Sequence, residues 1–167
     1  KIFLNNKFHP RCSNEKDIID DTEKILQTLK IDCLDMLQSH WPNIKLPNEE
    51  IFSAFSKLKK QGKIKYYGLS NPFLNILLDK NILSQIDSLQ IETNTYQNNL
   101  DLKFNKLILG YSVFKYLKID QNIKNNINYS DHLCFLLKKG ITPIIRTLDI
   151  NKIKSLINIE KQEINEL

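Results

Sequence analysis

Lys7, His40, Ser70 with Asn71, Gln90, Tyr111, and Arg146 with Thr147 each close a short apolar run in this chain. In parallel α/β folds reactive side chains gather at the carboxyl ends of strands, so a polar residue in that position is informative. The set offers a lysine, a histidine, neutral hydrogen-bonding groups, an aromatic ring and a guanidinium. Together they could line one face of a barrel. Each has a bland reading as well. Lys7 suits any strand end, Tyr111 could be a core aromatic, and Ser70-Asn71-Pro72 is also a good helix start.

The elements that must carry these residues follow from the alternation of strand-like apolar segments with segments of helical period, the signature of βα units and a parallel sheet. Strands are expected near Ile2 to Asn6, Cys33 to Ser39, Ile64 to Leu69, Ser88 to Glu92, Leu107 to Ser112 and Thr142 to Ile145. Between the first two, Ser13 is the expected N-cap of a helix in which Ile18, Ile19, Thr22, Ile25, Leu26 and Leu29 recur to form one stripe. Pro47, Glu49 and Glu50 open the next helix; Ile51, Phe55 and Leu58 face inward, and Gly62 is its C′ residue. Asn71 and Pro72 are expected to start a third, Ser130 to cap a fourth that stops at Gly140, and Asp149 to cap a last one. Between Glu92 and Leu107 the Asn-rich sequence leaves little room for a crossover helix, which predicts a short, irregular connection.

At 167 residues the chain suits one domain, 1–167, with no Gly/Ser- or Pro-rich linker at which to divide it. It is too short for a full (β/α)₈ barrel, which needs about 250 residues. The net charge of +5 permits anionic partners. The densest basic run, Lys57, Lys59, Lys60, Lys63 and Lys65, crosses a helix end, where cations complement the dipole, and no aromatic interleaving accompanies it. No nucleic-acid partner is therefore expected. Three cysteines, Cys12, Cys33 and Cys134, show neither a CxxC pair nor a zinc spacing, so a cytoplasmic setting and no metal are expected. No stretch reaches the roughly 18 apolar residues of a membrane span.

Two segments in register, IDCLDMLQSHWPN and PNEEIFSAFSKLKKQGKIKYYGLSN, resemble the central stretch of aldo-keto reductases. There one strand ends in His-Trp-Pro, and a helix ending in Gly-Lys-Ile leads to a strand ending in Gly-x-Ser-Asn. KIFLNNKF is similar to the strand that presents the family's lysine, with Asn6 where threonine is common. SLQIETNTYQ, LILGYSVF and ITPIIRTLDINKIKSL resemble the later strands and the cofactor-phosphate loop. The resemblance implies an incomplete TIM barrel of about six βα units, the third to the eighth, with the first two lacking. It also implies NADPH-dependent reduction of an aldehyde or ketone to an alcohol. Lys7 and His40 match the catalytic lysine and histidine; the tetrad's Asp and Tyr belong to earlier strands. Ser70, Asn71 and Gln90 match hydrogen bonders of the nicotinamide carboxamide, and Tyr111 the ring stacked on it. Arg146, Thr147 and Lys152 match binders of the 2′-phosphate, where a cationic fork suits a dianion.

Two functional expectations follow. In one, the complete protein is an NADPH-dependent reductase acting on a small carbonyl substrate. In the other, the chain is an inactive remnant or a non-catalytic scaffold or regulatory subunit, because the acid is missing. Six strands cannot close an eight-stranded barrel, so a partner chain or an upstream segment is expected to complete it.

Overall fold

Four parallel strands, each entered from a helix or loop on the same side, organise the first part of the chain. The computed structural model describes residues 2–72, 79–93, 104–114, 129–148 and 150. They fall into two units, Lys1–Gln90 and Ile91–Leu167.

The first unit runs β1 (Asn5–Phe8), α1 (Glu15–Leu29), β2 (Leu34–Ser39), α2 (Asn48–Lys60), β3 (Ile64–Ser70), α3 (Lys80–Gln85) and the start of β4 (Ser88–Glu92). The strands lie side by side in chain order, β1 to β4, and every adjacent pair is parallel. Lys7 is opposite Gln38, Gln38 opposite Gly68, and Gly68 opposite Ser88, which makes one row across four strands. Because side chains alternate between faces, His40, Ser70 and Gln90, each two residues beyond a member of that row, share its face.

The opposite face is apolar and meets the helices. Phe55 of α2 is fully buried, with its ring 4.8 Å from Tyr67 and 6.1 Å from Phe8. Leu37, Leu69 and Leu89 extend the same layer. Burying a side chain of this size contributes about 1.5–3 kcal/mol, so this layer supplies much of what holds the strands in place.

Local chemistry sets the helix ends. Asn14, not Ser13, caps α1: its side chain accepts from the Asp17 N–H at 2.9 Å. Ser13 instead donates its N–H and hydroxyl to the Asp17 carboxylate. The difference is one of spacing, since a cap must reach the N–H three residues on. Pro47 is the N-cap of α2, and Gly62 follows its C-cap with φ of 72°, as the sequence implies. Four lysines of the basic run are ion-paired: Lys57 with Glu15, Lys59 with Asp87, Lys63 with Glu23 and Lys65 with Asp35.

Other expectations differ in this unit. β1 is Asn5–Phe8 rather than Ile2 to Asn6; Ile2 and Phe3 are largely exposed. A strand extends only as far as its neighbour offers a ladder, and here pairing with β2 begins at Asn5 opposite Met36. Asn71 has φ of 51°, which is not the extended geometry of an N-cap, and the helix expected just after it falls on residues 73–78, outside the described residues. A helix the sequence did not announce, α3, is capped by Asp79, whose carboxylate accepts from the N–H groups of Asn81 and Ile82.

The second unit holds the end of β4, β5 (Leu107–Tyr111), α4 (Tyr129–Lys138) and β6 (Ile141–Pro143), with β5 parallel to β6. Val113, Leu133 and Leu136 form its buried cluster, with Phe114, Ile141 and Ile145 packed against it. Gly140 ends α4 with φ of 72°, as expected, whereas Ser130 lies inside the helix rather than before it. The strand expected over Thr142 to Ile145 is shorter and starts at Ile141. The irregular connection expected between Glu92 and Leu107 and the helix expected after Asp149 fall largely outside the described residues. Among the described residues no helix is long and apolar enough to cross a membrane.

Candidate active site

Lys7 sits inside β1, one residue before its end, and is half-buried. Burial holds its ammonium below the ordinary lysine pKa. His40 follows β2 directly and stacks on Trp41, ring centroids 6.1 Å apart. Its pKa is lowered first by desolvation and then by the charges of Lys7 and His9, so these three groups share one electrostatic neighbourhood.

Ser70 ends β3 with 1% exposure, and its N–H donates to Ser39 Oγ at 3.0 Å. Asn71 then turns into the left-handed region, which Asn tolerates better than most residues. That turn lets its N–H donate to the Gln90 carbonyl oxygen at 2.8 Å and its Nδ2 to Ser70 Oγ at 3.2 Å. Gln90 is paired in register with Ser70 and is 6% exposed. Its side-chain Oε1 is buried without a hydrogen-bond partner. Such an orphan acceptor is costly, and a ligand amide or hydroxyl would relieve it.

Five of the expected positions, Lys7, His40, Ser70, Asn71 and Gln90, thus meet at the carboxyl end of one sheet. Tyr111, Arg146 and Thr147 belong to the second unit. Tyr111 is the half-buried last residue of β5, and its carbonyl accepts from Thr93 Oγ1 at 3.0 Å. Arg146 is exposed and Thr147 half-buried, both beyond β6. Lys152 lies outside the described residues.

A cavity of 340 Å³ opens beside the rim, lined by Phe8, Ser39, Trp41, Leu69, Ser70 and the first turn of α2 among others. Its lining combines Phe8 and Leu69, which face the helices, with Ser70 at the end of β3. Among the described residues no three His, Cys, Asp or Glu side chains gather to hold a metal. The Cys12 thiol is pushed up to about 11 by burial and by Asp21 and Asp17, which keeps it protonated and unreactive at neutral pH.

Sequence reasoning overlooked Gln38 and Ser88, which lie on the same face. A signal was present: in Met36-Leu37-Gln38-Ser39-His40 the period of two carries a glutamine on the histidine's face.

The profile of the Aldo/keto reductase family matches residues 1–108. Aldo-keto reductase YhdN of Bacillus subtilis (strain 168) is 26% identical over 91 residues, which are 54% of this chain and 28% of that protein. The crystal structure of the thermostable aldo-keto reductase Tm1743, in complex with the inhibitor epalrestat, superposes with a TM-score of 0.83 at 22% identity, covering 96% of this chain and 66% of that one. An aldo/keto reductase from Klebsiella pneumoniae in complex with NADP and acetate gives a TM-score of 0.75 at 16% identity, over 95% of this chain and 64% of that one. The chain therefore spans less than a third of the YhdN sequence and less than two thirds of the Klebsiella chain.

These likenesses carry the fold, an α/β architecture that is an incomplete TIM barrel with βα units corresponding to the third to eighth of the full barrel. The family match takes in Lys7, the His40-Trp41-Pro42 strand end, the Ser70-Asn71 strand end and Gln90, and the chain belongs to the aldo-keto reductase family.

Proposed function

We propose that this chain serves an NADPH-dependent reductase that converts an aldehyde or ketone to an alcohol. The observation that carries the reading is the buried, unpartnered Oε1 of Gln90, on the face and rim that Lys7, His40 and Ser70 share. An acceptor of that kind fits the amide of a nicotinamide, with Ser70 and Asn71 alongside as further hydrogen-bonding groups. Tyr111 is the proposed stacking ring, and Arg146, Thr147 and Lys152 the proposed phosphate contacts.

When bound, NADPH supplies the hydride. His40, kept neutral by its surroundings, donates a hydrogen bond that orients the carbonyl oxygen. Lys7 places a positive charge near the oxygen on which negative charge develops. The family's proton-donating tyrosine and its aspartate have no counterpart at these strand ends, so an upstream segment or a partner chain is proposed to supply them. The ion-paired lysines of the basic run favour a small-molecule ligand over nucleic acid, and a cytoplasmic setting is proposed from three cysteines that show neither a CxxC pair nor a zinc spacing.

Titrating the purified chain with NADPH and following nicotinamide fluorescence tests the reading. Saturable binding that weakens at least about tenfold in Gln90→Leu is expected, since a ligand hydrogen bond to a buried partner is worth on that order. No binding by the unaltered chain overturns the cofactor assignments. Binding without turnover of short aldehydes, even after an added upstream segment, would favour the scaffold alternative.

A further inference from the structure

Gln38 is fully buried in the middle of β2, yet both ends of its amide are committed. Nε2 donates to Ser88 Oγ at 2.9 Å, and Oε1 accepts from Asn5 Nδ2 at 2.9 Å. Ser88 Oγ in turn donates to Met36 Sδ at 3.0 Å. A polar group withdrawn from water is tolerated when its hydrogen bonds are made, and this amide is satisfied at both ends.

The bond to Ser88 has to span β3, which lies between β2 and β4. The residue of β3 in the same row is Gly68. A Cβ there would lie 2.0 Å from Ser88 Oγ, so the missing side chain is what leaves the path open. On the other side, Asn5 lies in β1, two residues before Lys7. Among the described residues β1 has a neighbour on one side only, and the Asn5 to Gln38 bond is a tie to that neighbour beyond the backbone ladder.

We infer that Asn5, Gln38 and Ser88 form a positioning chain that holds β1, and with it Lys7, at a set height against the ends of β2, β3 and β4. Gln38 touches neither substrate nor cofactor in this role; it acts through Lys7, directly opposite it in register. The inference rests on the proposed site role of Lys7, since only then does the height of β1 matter for function.

The test reads Lys7 itself. In the full chain, lysines carrying isotope-labelled methyl groups are titrated by NMR, with the Lys7 signal assigned by its loss in Lys7→Met. Breaking the chain loosens β1 and admits water, so in Gln38→Leu and in Asn5→Ala the Lys7 titration is expected to rise by about half a pH unit or more toward the ordinary lysine value. Lys57, a surface lysine of α2, is expected to stay where it was. Asn5 is exposed, so Asn5→Ala keeps the question answerable if Gln38→Leu fails to fold. An unchanged Lys7 titration in the folded variants, or one that moves together with Lys57, overturns the inference. NADPH binding by the unaltered chain is measured in parallel: a Lys7 shift without any cofactor binding leaves the positioning chain standing and removes the cofactor reading alone.

Discussion

Asn71 donates its backbone N–H to the carbonyl oxygen of Gln90 at 2.8 Å while its own backbone is left-handed, with φ of 51°. The contact joins the ends of β3 and β4, and it keeps the Asn71 side chain against Ser70. A β-branched residue resists that backbone by about 1–2 kcal/mol, whereas glycine adopts it freely. Asn71→Val is therefore expected to lower stability by about that amount and Asn71→Gly to change it little. Both are expected to weaken NADPH binding. Urea unfolding with a parallel cofactor titration separates the two effects, and equal stabilities for the two variants would refute the backbone argument.

Gly68 meets a different limit. Its added Cβ would clash with Ser88 Oγ and would also come within 2.3 Å of the Ser88 carbonyl oxygen, which cannot rotate away. Gly68→Ala should therefore destabilise by about 1–3 kcal/mol, the cost of overpacking a filled interior. A denaturation midpoint within error of the parent would show that β3 and β4 separate more easily than this register implies.

Phe55 is the hub of the helix-facing layer, in contact with Phe8, Phe52 and Tyr67. Truncation to alanine leaves a cavity among residues that are themselves held by strands, so the site relaxes poorly. A loss of about 3–5 kcal/mol is expected for Phe55→Ala. Phe52, half-buried on the same helix, should cost clearly less when truncated, and the ranking can be read from thermal or urea midpoints.

His40 ties stability to pH with a definite sign. Its folded-state pKa is below the ordinary imidazole value of 6.5, because desolvation and then Lys7 and His9 oppose the charge. In the unfolded chain it takes up its proton around 6.5, so as pH falls from there toward the folded pKa, the unfolded state gains relative to the folded one. Above 6.5 the group adds no slope. The difference in unfolding free energy between pH 7.5 and 5.5 should be smaller in His40→Gln than in the parent. His132, also lowered by burial, remains in both proteins and cancels in the comparison. An identical slope in the two would contradict the assignment.

Much of the local architecture was legible because it depends on residues a few positions apart. The period of Ile51, Phe55 and Leu58, the proline before α2 and the glycine after it marked that helix correctly. Strand-end logic located Ser70, and the His-Trp-Pro and Ser-Asn signatures pointed to the family. Errors arose where two local readings competed. Ser13 and Asn14 are both good caps, and only the reach to Asp17 decides between them. At Ser-Asn-Pro the left-handed Asn71 is not the expected cap, and its N–H is taken by Gln90, 19 positions later in the chain.

By itself the sequence determined the alternation of strands and helices and the kinship to aldo-keto reductases, since each rests on spacing within a segment. Only the tertiary structure decided that Lys7, Gln38, Gly68 and Ser88 form one row, and that Gln38 reaches Ser88 across a residue with no side chain. Strand register is chosen by packing between segments tens of residues apart. A slip of one residue would turn every side chain of a strand to the other face, and no pattern within a single strand records which register the neighbour accepts.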